Sequence, residues 1–172
     1  MRVNGWLLSN IRKSAEIPIA TSNMTMIKTI PPVIQPQMDK WLADAKKNKR
    51  ILHLFEKLEQ NGCAINWDSI SVQDCDKHVF GGFNSDKLIV LCRSNLISSR
   101  QVATTIQHEL IHAFDDCKDK LDTTSCESVA CSEVRAAALS GDCDVSEELM
   151  RGNFPLLKRC VRRRALVHVG LI

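Results

Sequence analysis

The stretch Ser98–Cys117 reads SSRQVATTIQHELIHAFDDC. Ser98-x-x-Gln101 has the form of a capping box, and Val102, Ile106, Leu110, Ala113 and Cys117 follow it at spacings of four, four, three and four. That spacing predicts a helix of about 18–20 residues with one apolar stripe. His108 and His112 stand one turn apart on it, so both imidazoles leave the same face and can grip a single Zn²⁺ ion. Glu109 leads that face by one residue, where a carboxylate can reach a metal-bound water without itself becoming a ligand. The stripe through Ile106, Leu110 and Ala113 points roughly the other way, because two residues turn a helix by about 200°. One face packs while the other handles metal.

A catalytic zinc site needs a third protein ligand and an open position. Asp116 continues the four-residue series but lies about 9 Å along the axis from the midpoint of the two histidines, too far on a straight helix. Asp115 or Asp116 fits better as a hydrogen-bond acceptor behind a ligand. Glu133 is the stronger candidate, 21 residues beyond His112 on a second helix. Joined to the first by a short polar loop, that helix can fold back and face the site. His78 and His168 remain open alternatives. The arrangement H-E-x-x-H followed by a glutamate resembles that of the zincins whose third ligand is a glutamate. For the oxyanion donor, tyrosine is excluded because the chain has none. Arg135, His78 and a backbone N–H are left.

Outward from the motif, Cys126–Leu139 is the second helix, closed at Ser140-Gly141-Asp142. A third helical segment spans about Val145–Arg164, interrupted near Gly152 and Pro155. Upstream, Cys63–Trp67, His78–Phe83 and Lys87–Cys92 are candidate strands, the last two joined by the turn triplet Asn84-Ser85-Asp86. Gly81-Gly82 marks a bulge or a close backbone approach. Leu88–Cys92 reads equally as a buried strand or as an edge able to pair with an extended substrate. Residues 38–61 read as one helix stopped at Asn61-Gly62. Residues 1–37, with Pro18, Pro31, Pro32 and Pro36 and a single acid at Glu16, read as an N-terminal leader or disordered segment. The expectation is an α+β, zincin-like domain over 38–172, with a small antiparallel or mixed sheet packed on the motif helix and a second, Glu-bearing helix.

Composition narrows the classes. No apolar run approaches the roughly 18–20 residues that span a bilayer. The net charge of +3 hides a partition: 1–60 holds ten Lys/Arg against five Asp/Glu, 61–150 seven against fifteen, and 151–172 six against none. Nucleic acid would need basic residues gathered on the organised region, which is acidic here. Basic ends on an acidic body suit an anionic membrane surface or solvated tails. Eight widely spaced cysteines without a C-x-x-C knuckle fit a disulfide framework formed in an oxidising compartment.

Three sets of residues carry a closer resemblance. They are Gln107-His-Glu-Leu-Ile-His-Ala-Phe-Asp115, Ala130-Cys-Ser-Glu-Val-Arg-Ala-Ala137 and Leu139-Ser-Gly-Asp-Cys143, with Asn61-Gly-Cys63, Gly81-Gly-Phe83 and Cys160-Val-Arg-Arg-Arg164 continuing it. Over about residues 40–165 the chain resembles the mitochondrial inner-membrane metalloprotease and assembly-factor family that processes ATP synthase subunit a. The resemblance implies a peripheral protein on the intermembrane-space side, folded by that compartment's oxidative machinery. It also implies removal of the N-terminal leader of the subunit a precursor by a zinc metalloendopeptidase, and help in assembling ATP synthase. His108 and His112 carry over as metal ligands and Glu109 as the base. Family members commonly place a histidine just before the ACSE string, where this chain has Ser128-Val129, which favours Glu133 as a ligand. They also continue past the point where this chain ends, Val169-Gly-Leu-Ile172, with a cysteine-bearing segment. The competing readings are a non-proteolytic assembly chaperone and a disulfide-held binding module in which zinc is structural or absent.

Overall fold

The computed structural model describes residues 34–75, 79–84, 86–154 and 156–168. Most of the segment expected as a leader, and His78, lie outside the described residues. The chain opens with α1 (Ile34–Ala45) and α2 (Lys49–Gln60), two helices where the periodicity predicts one. The apolar pattern does run through both, with Met38, Ile51 and Leu58 buried in the same core. The break lies at Asn48, whose side chain accepts from the N–H groups of Arg50 and Ile51 at 2.9 and 3.3 Å. This local bond starts a new helix, a competition that asparagine wins readily. At the far end Gly62 takes φ +74°, a left-handed conformation natural to glycine. It lets Cys63 N–H reach back to the Leu58 carbonyl at 3.0 Å and close α2 as expected.

Among the described residues the sheet has three strands, β1 (Ile70–Gln73), β2 (Gly81–Phe83) and β3 (Ile89–Cys92), in the order β1-β3-β2. β3 pairs parallel with β1, Ser71 opposite Val90, and antiparallel with β2, Gly82 opposite Val90. The architecture is α+β with a mixed sheet. Two sequence expectations are corrected here. Cys63–Trp67 is not a strand: Asn66 caps a 3-10 turn at Trp67–Ser69, and the first strand begins only at Ile70. Leu88–Cys92 offers no edge to a substrate, because its strand is central and all four β3 residues are buried. The Asn84 turn forms as expected, its side-chain oxygen accepting from the N–H groups of Asp86 and Leu88.

Helix α3 (Ser99–Asp119) is the spine of the molecule. Ser98 caps it by accepting from Gln101 N–H, while the Gln101 side chain accepts from Ile97 N–H, one residue upstream of the usual partner. Its stripe Val102, Ile106, Leu110 and Ala113 enters the core with Ile89 and Leu91 of β3. α4 (Cys126–Leu139) covers its other side and in turn packs on α6 (Leu157–His168). The helical segment expected after residue 145 is two pieces, α5 (Val145–Met150) and α6.

Three disulfides staple this frame: Cys63–Cys117, Cys75–Cys92 and Cys143–Cys160. The framework expected from eight cysteines therefore uses six, and Cys126 and Cys131 on α4 are free and exposed. Cys63–Cys117 closes a separation of 54 residues and Cys143–Cys160 one of 17. Chain entropy then assigns them about 4 and about 3 kcal/mol respectively. Replacing both Cys63 and Cys117 by serine is expected to lower unfolding stability more than the matching change at Cys143 and Cys160, as read by denaturant titration.

Candidate metal centre

From Ile106 to Ala113 every residue of α3 is buried, the polar ones included. His108, Glu109 and His112 are 5%, 6% and 8% exposed, and Glu133, brought in by α4, 4%. Apolar residues of this stretch are drawn in by the core, but two imidazoles and a carboxylate are not. Burial of such groups is costly unless they are paired or hold an ion.

The geometry of the four is close. His108 Nε2 lies 3.4 Å from Glu133 Oε2, and His112 Nε2 lies 3.4 Å from Glu133 Oε1. The two rings stand edge to face with centroids 4.8 Å apart. One ligand atom from each of His108, His112 and Glu133 falls within 4.8 Å of the others. The structure thus brings together all three residues expected as ligands. Glu109 lies beside them, accepting from Phe83 N–H, with burial pushing its carboxyl up to about 7 against the pull of His108.

A chain of hydrogen bonds fixes how His112 is presented. Ser132 Oγ lies 2.7 Å from His112 Nδ1 and donates to Asp115 Oδ2 at 2.6 Å. An ionised carboxylate only accepts, so the serine proton goes to Asp115 and the serine oxygen accepts from His112 Nδ1–H. Nε2 is therefore the nitrogen left without a proton and open to a metal ion, 3.4 Å from Glu133 Oε1. An acceptor facing an acceptor across 3.4 Å calls for a positive charge between them, a proton or a metal ion. Arg135, considered for the oxyanion, is engaged elsewhere: Nε and Nη2 hold Asp115 Oδ2 at 3.1 and 3.0 Å. Asp115, rather than Asp116, is the acceptor behind His112, through Ser132.

His108 has a looser counterpart. Its Nδ1 is 3.9 Å from Asp142 Oδ2, and Asp142 is clamped by Arg151 at 3.2 Å and Arg164 at 3.1 Å. Burial disfavours charge on His108, but Glu133, Glu109 and Asp142 outweigh it and raise its pKa. Three carboxylates around two imidazoles form a field suited to a dication. The residues present fit a metal ion.

Sequence reading missed Ser132 and Asp142, although both lie inside the strings ACSE and SGDC that drew attention for other reasons. Nothing in a linear spacing marks a serine as the bridge between a histidine and an aspartate on another helix. The Gly81 expectation is met as a close approach: a β-carbon there would sit 2.6 Å from Thr105 Cγ2 and 2.9 Å from the Val90 carbonyl, beside Glu109. Only glycine lets β2 lie this near α3. His168 ends α6, and its side chain lies outside the described residues.

The sequence profile of the Peptidase M76 family matches residues 36–171. The chain belongs to this family. Among curated relatives it is 40% identical over 134 residues to the human mitochondrial inner membrane protease ATP23 homolog, covering 74% of this chain and 54% of that protein. The Schizosaccharomyces pombe mitochondrial inner membrane protease atp23 is 38% identical over 123 residues, covering 69% and 66%. The zebrafish (Danio rerio) homolog is 44% identical over 119 residues, covering 66% and 47%. The chain spans about half to two thirds of the length of these relatives. No solved structure matches it. Among the described residues no helix is long and apolar enough to cross a membrane.

Two outcomes follow from the geometry. Ser132→Ala, which strips the support from His112, should weaken metal binding by about tenfold to a hundredfold, measured by competition with a chromophoric chelator, and Ser132→Thr should restore it. Glu109, with a carboxyl raised from 4.5 to about 7, binds its proton more tightly folded than unfolded. The metal-free fold should therefore lose stability as pH rises through that window, by about 3 kcal/mol in all. Glu109→Gln should reduce this loss in thermal unfolding compared at about pH 5 and about pH 8, leaving the part due to His108, whose pKa is also raised.

Proposed function

We propose that residues 38–172 act as one zinc metalloendopeptidase domain of zincin-like design. His108, His112 and Glu133 are its ligands and Glu109 is its general base. The observation that carries this reading is the convergence of the three ligand atoms within 4.8 Å, beside a buried carboxylate, on a chain of a peptidase family. Two imidazoles and a carboxylate are a donor set that zinc accepts, leaving its fourth position for water or substrate. Bound there, zinc supplies Lewis-acid polarisation of the scissile carbonyl and lowers the pKa of water towards 7.

The residues do the remainder. A base works best when its pKa lies near the operating pH, and burial brings the Glu109 carboxyl to about 7. Glu109 takes a proton from the attacking water and delivers it to the leaving amine. Phe83 N–H holds that carboxylate in place. Among the described residues β2 pairs with β3 alone, so its other edge can accept an extended peptide as an added strand next to Glu109. Ser132 and Asp115 keep His112 in the tautomer that leaves Nε2 to coordinate.

The substrate we propose is the N-terminal leader of the ATP synthase subunit a precursor. Cleavage would take place from the intermembrane-space side of the inner membrane, where the chain binds peripherally. The relatives' names support the membrane, and the three disulfides support an oxidising compartment served by oxidative-folding machinery. A second reading is favoured by the burial of all four site residues: an assembly chaperone, or a disulfide-held binding module, in which zinc is structural. The test is Glu109→Gln in the full chain. Cleavage of the precursor should fall by at least about a hundredfold with one zinc per chain retained, and Glu133→Ala should lose the metal. Undiminished cleavage by Glu109→Gln, or full zinc affinity in Glu133→Ala, would overturn the assignments. Assembly sustained without cleavage would add the chaperone role to the peptidase.

A further inference from the structure

The sequence from α5 into α6 carries exposed apolar side chains and exposed cations within residues 149–162. Leu149, Met150, Phe154 and Leu157 are 59%, 84%, 76% and 57% exposed. Residues 151–172 hold six basic residues and no acidic one, but half of the basic set is committed to the interior. Arg151 and Arg164 hold Asp142, and Arg151 and Arg163 hold Glu148. The remaining three, Lys158, Arg159 and Arg162, are exposed and take part in none of the ion pairs among the described residues. On a helix these three fall within about 100° of arc, so they present one cationic face.

We propose that this face docks on an anionic lipid bilayer. Met150, Phe154 and Leu157 enter the boundary between headgroups and acyl chains, and Lys158, Arg159 and Arg162 meet lipid phosphates. Protruding apolar side chains beside a cationic helix face are the chemistry of an interfacial anchor. Each basic residue near an anionic leaflet adds roughly fivefold to partitioning. Residues 61–150, which hold seven basic residues against fifteen acidic ones, are repelled by the surface that attracts α6. The inference rests on the inner-membrane placement proposed above and names the residues that would make the contact.

The test is sedimentation of the full oxidised chain with vesicles of equal parts phosphatidylcholine and phosphatidylglycerol, against phosphatidylcholine alone. The chain should bind the mixed vesicles and not the neutral ones, and added salt should weaken binding. Changing Lys158, Arg159 and Arg162 together to glutamine should reduce binding by about a hundredfold. Met150→Ser and Phe154→Ser should each reduce it by about tenfold. Disulfide content equal to that of the wild type checks that the variants are folded. Equal binding by the triple variant, or no binding by the wild type, overturns the proposal. So does self-association in the absence of vesicles that the same substitutions abolish, which would assign the face to a second copy. Fractionation of the full chain with mitochondrial membranes reads the inner-membrane placement separately. A chain that travels with those membranes but ignores the vesicles overturns the lipid face alone.

Discussion

The constraint that organises this molecule is the burial of ionisable groups on a helix enclosed on all sides. Between Ile106 and Ala113 α3 has no solvent face, yet it carries His108, Glu109 and His112 there. Such groups are tolerated only where each polar atom has a partner and the net charge is balanced. Much of the remaining polar architecture answers that demand. Ser132 and Asp115 take one edge of His112, Asp142 faces His108, and arginines from other elements neutralise the aspartates in turn. A divalent ion would complete the balance among Glu133 and the two rings.

The apolar core works from the opposite side of the same helix. Val102, Ile106, Leu110 and Ala113 join α1, α2 and the sheet into one cluster. β3 is the central strand and packs Ile89 and Leu91 against the α3 stripe, while β2, at the edge, comes closest to the helix at Gly81. The disulfide from Cys63, just after α2, to Cys117, in the last turns of α3, ties the core to the helix that carries the site. The third disulfide links Cys143, just past α4, to Cys160 on α6, and so steadies the helix that supplies Glu133.

Helix α3 and α4 were legible in the sequence because their signals are local: a serine cap, a regular apolar stripe, a glycine after the last turn. The two histidines and Glu109 were legible for the same reason, since one helical turn is a fixed rotation. Glu133 needed one further step, the folding back of a helix across a short loop. The reading failed where a side chain competes with the backbone. Asn48 divides a helix whose apolar period is unbroken, and Asn66 turns an apolar run into a 3-10 turn. It also failed where partners are distant in sequence. The position of β3 at the centre of the sheet depends on β1, which a short, weakly alternating segment such as Ile70–Gln73 does not announce, and no spacing foretells that Arg164 will reach Asp142.

One consequence follows from the neighbouring positions of Ser132 and Glu133. A single turn of α4 supplies both Glu133, proposed as the third ligand, and Ser132, the support for His112. Sliding that helix by one residue against α3 would rotate both away by about 100° together. Coordination and tautomer control would vanish in the same movement, leaving no half-built intermediate. The registry of two helices is therefore an all-or-none determinant of whether the chain has a centre at all.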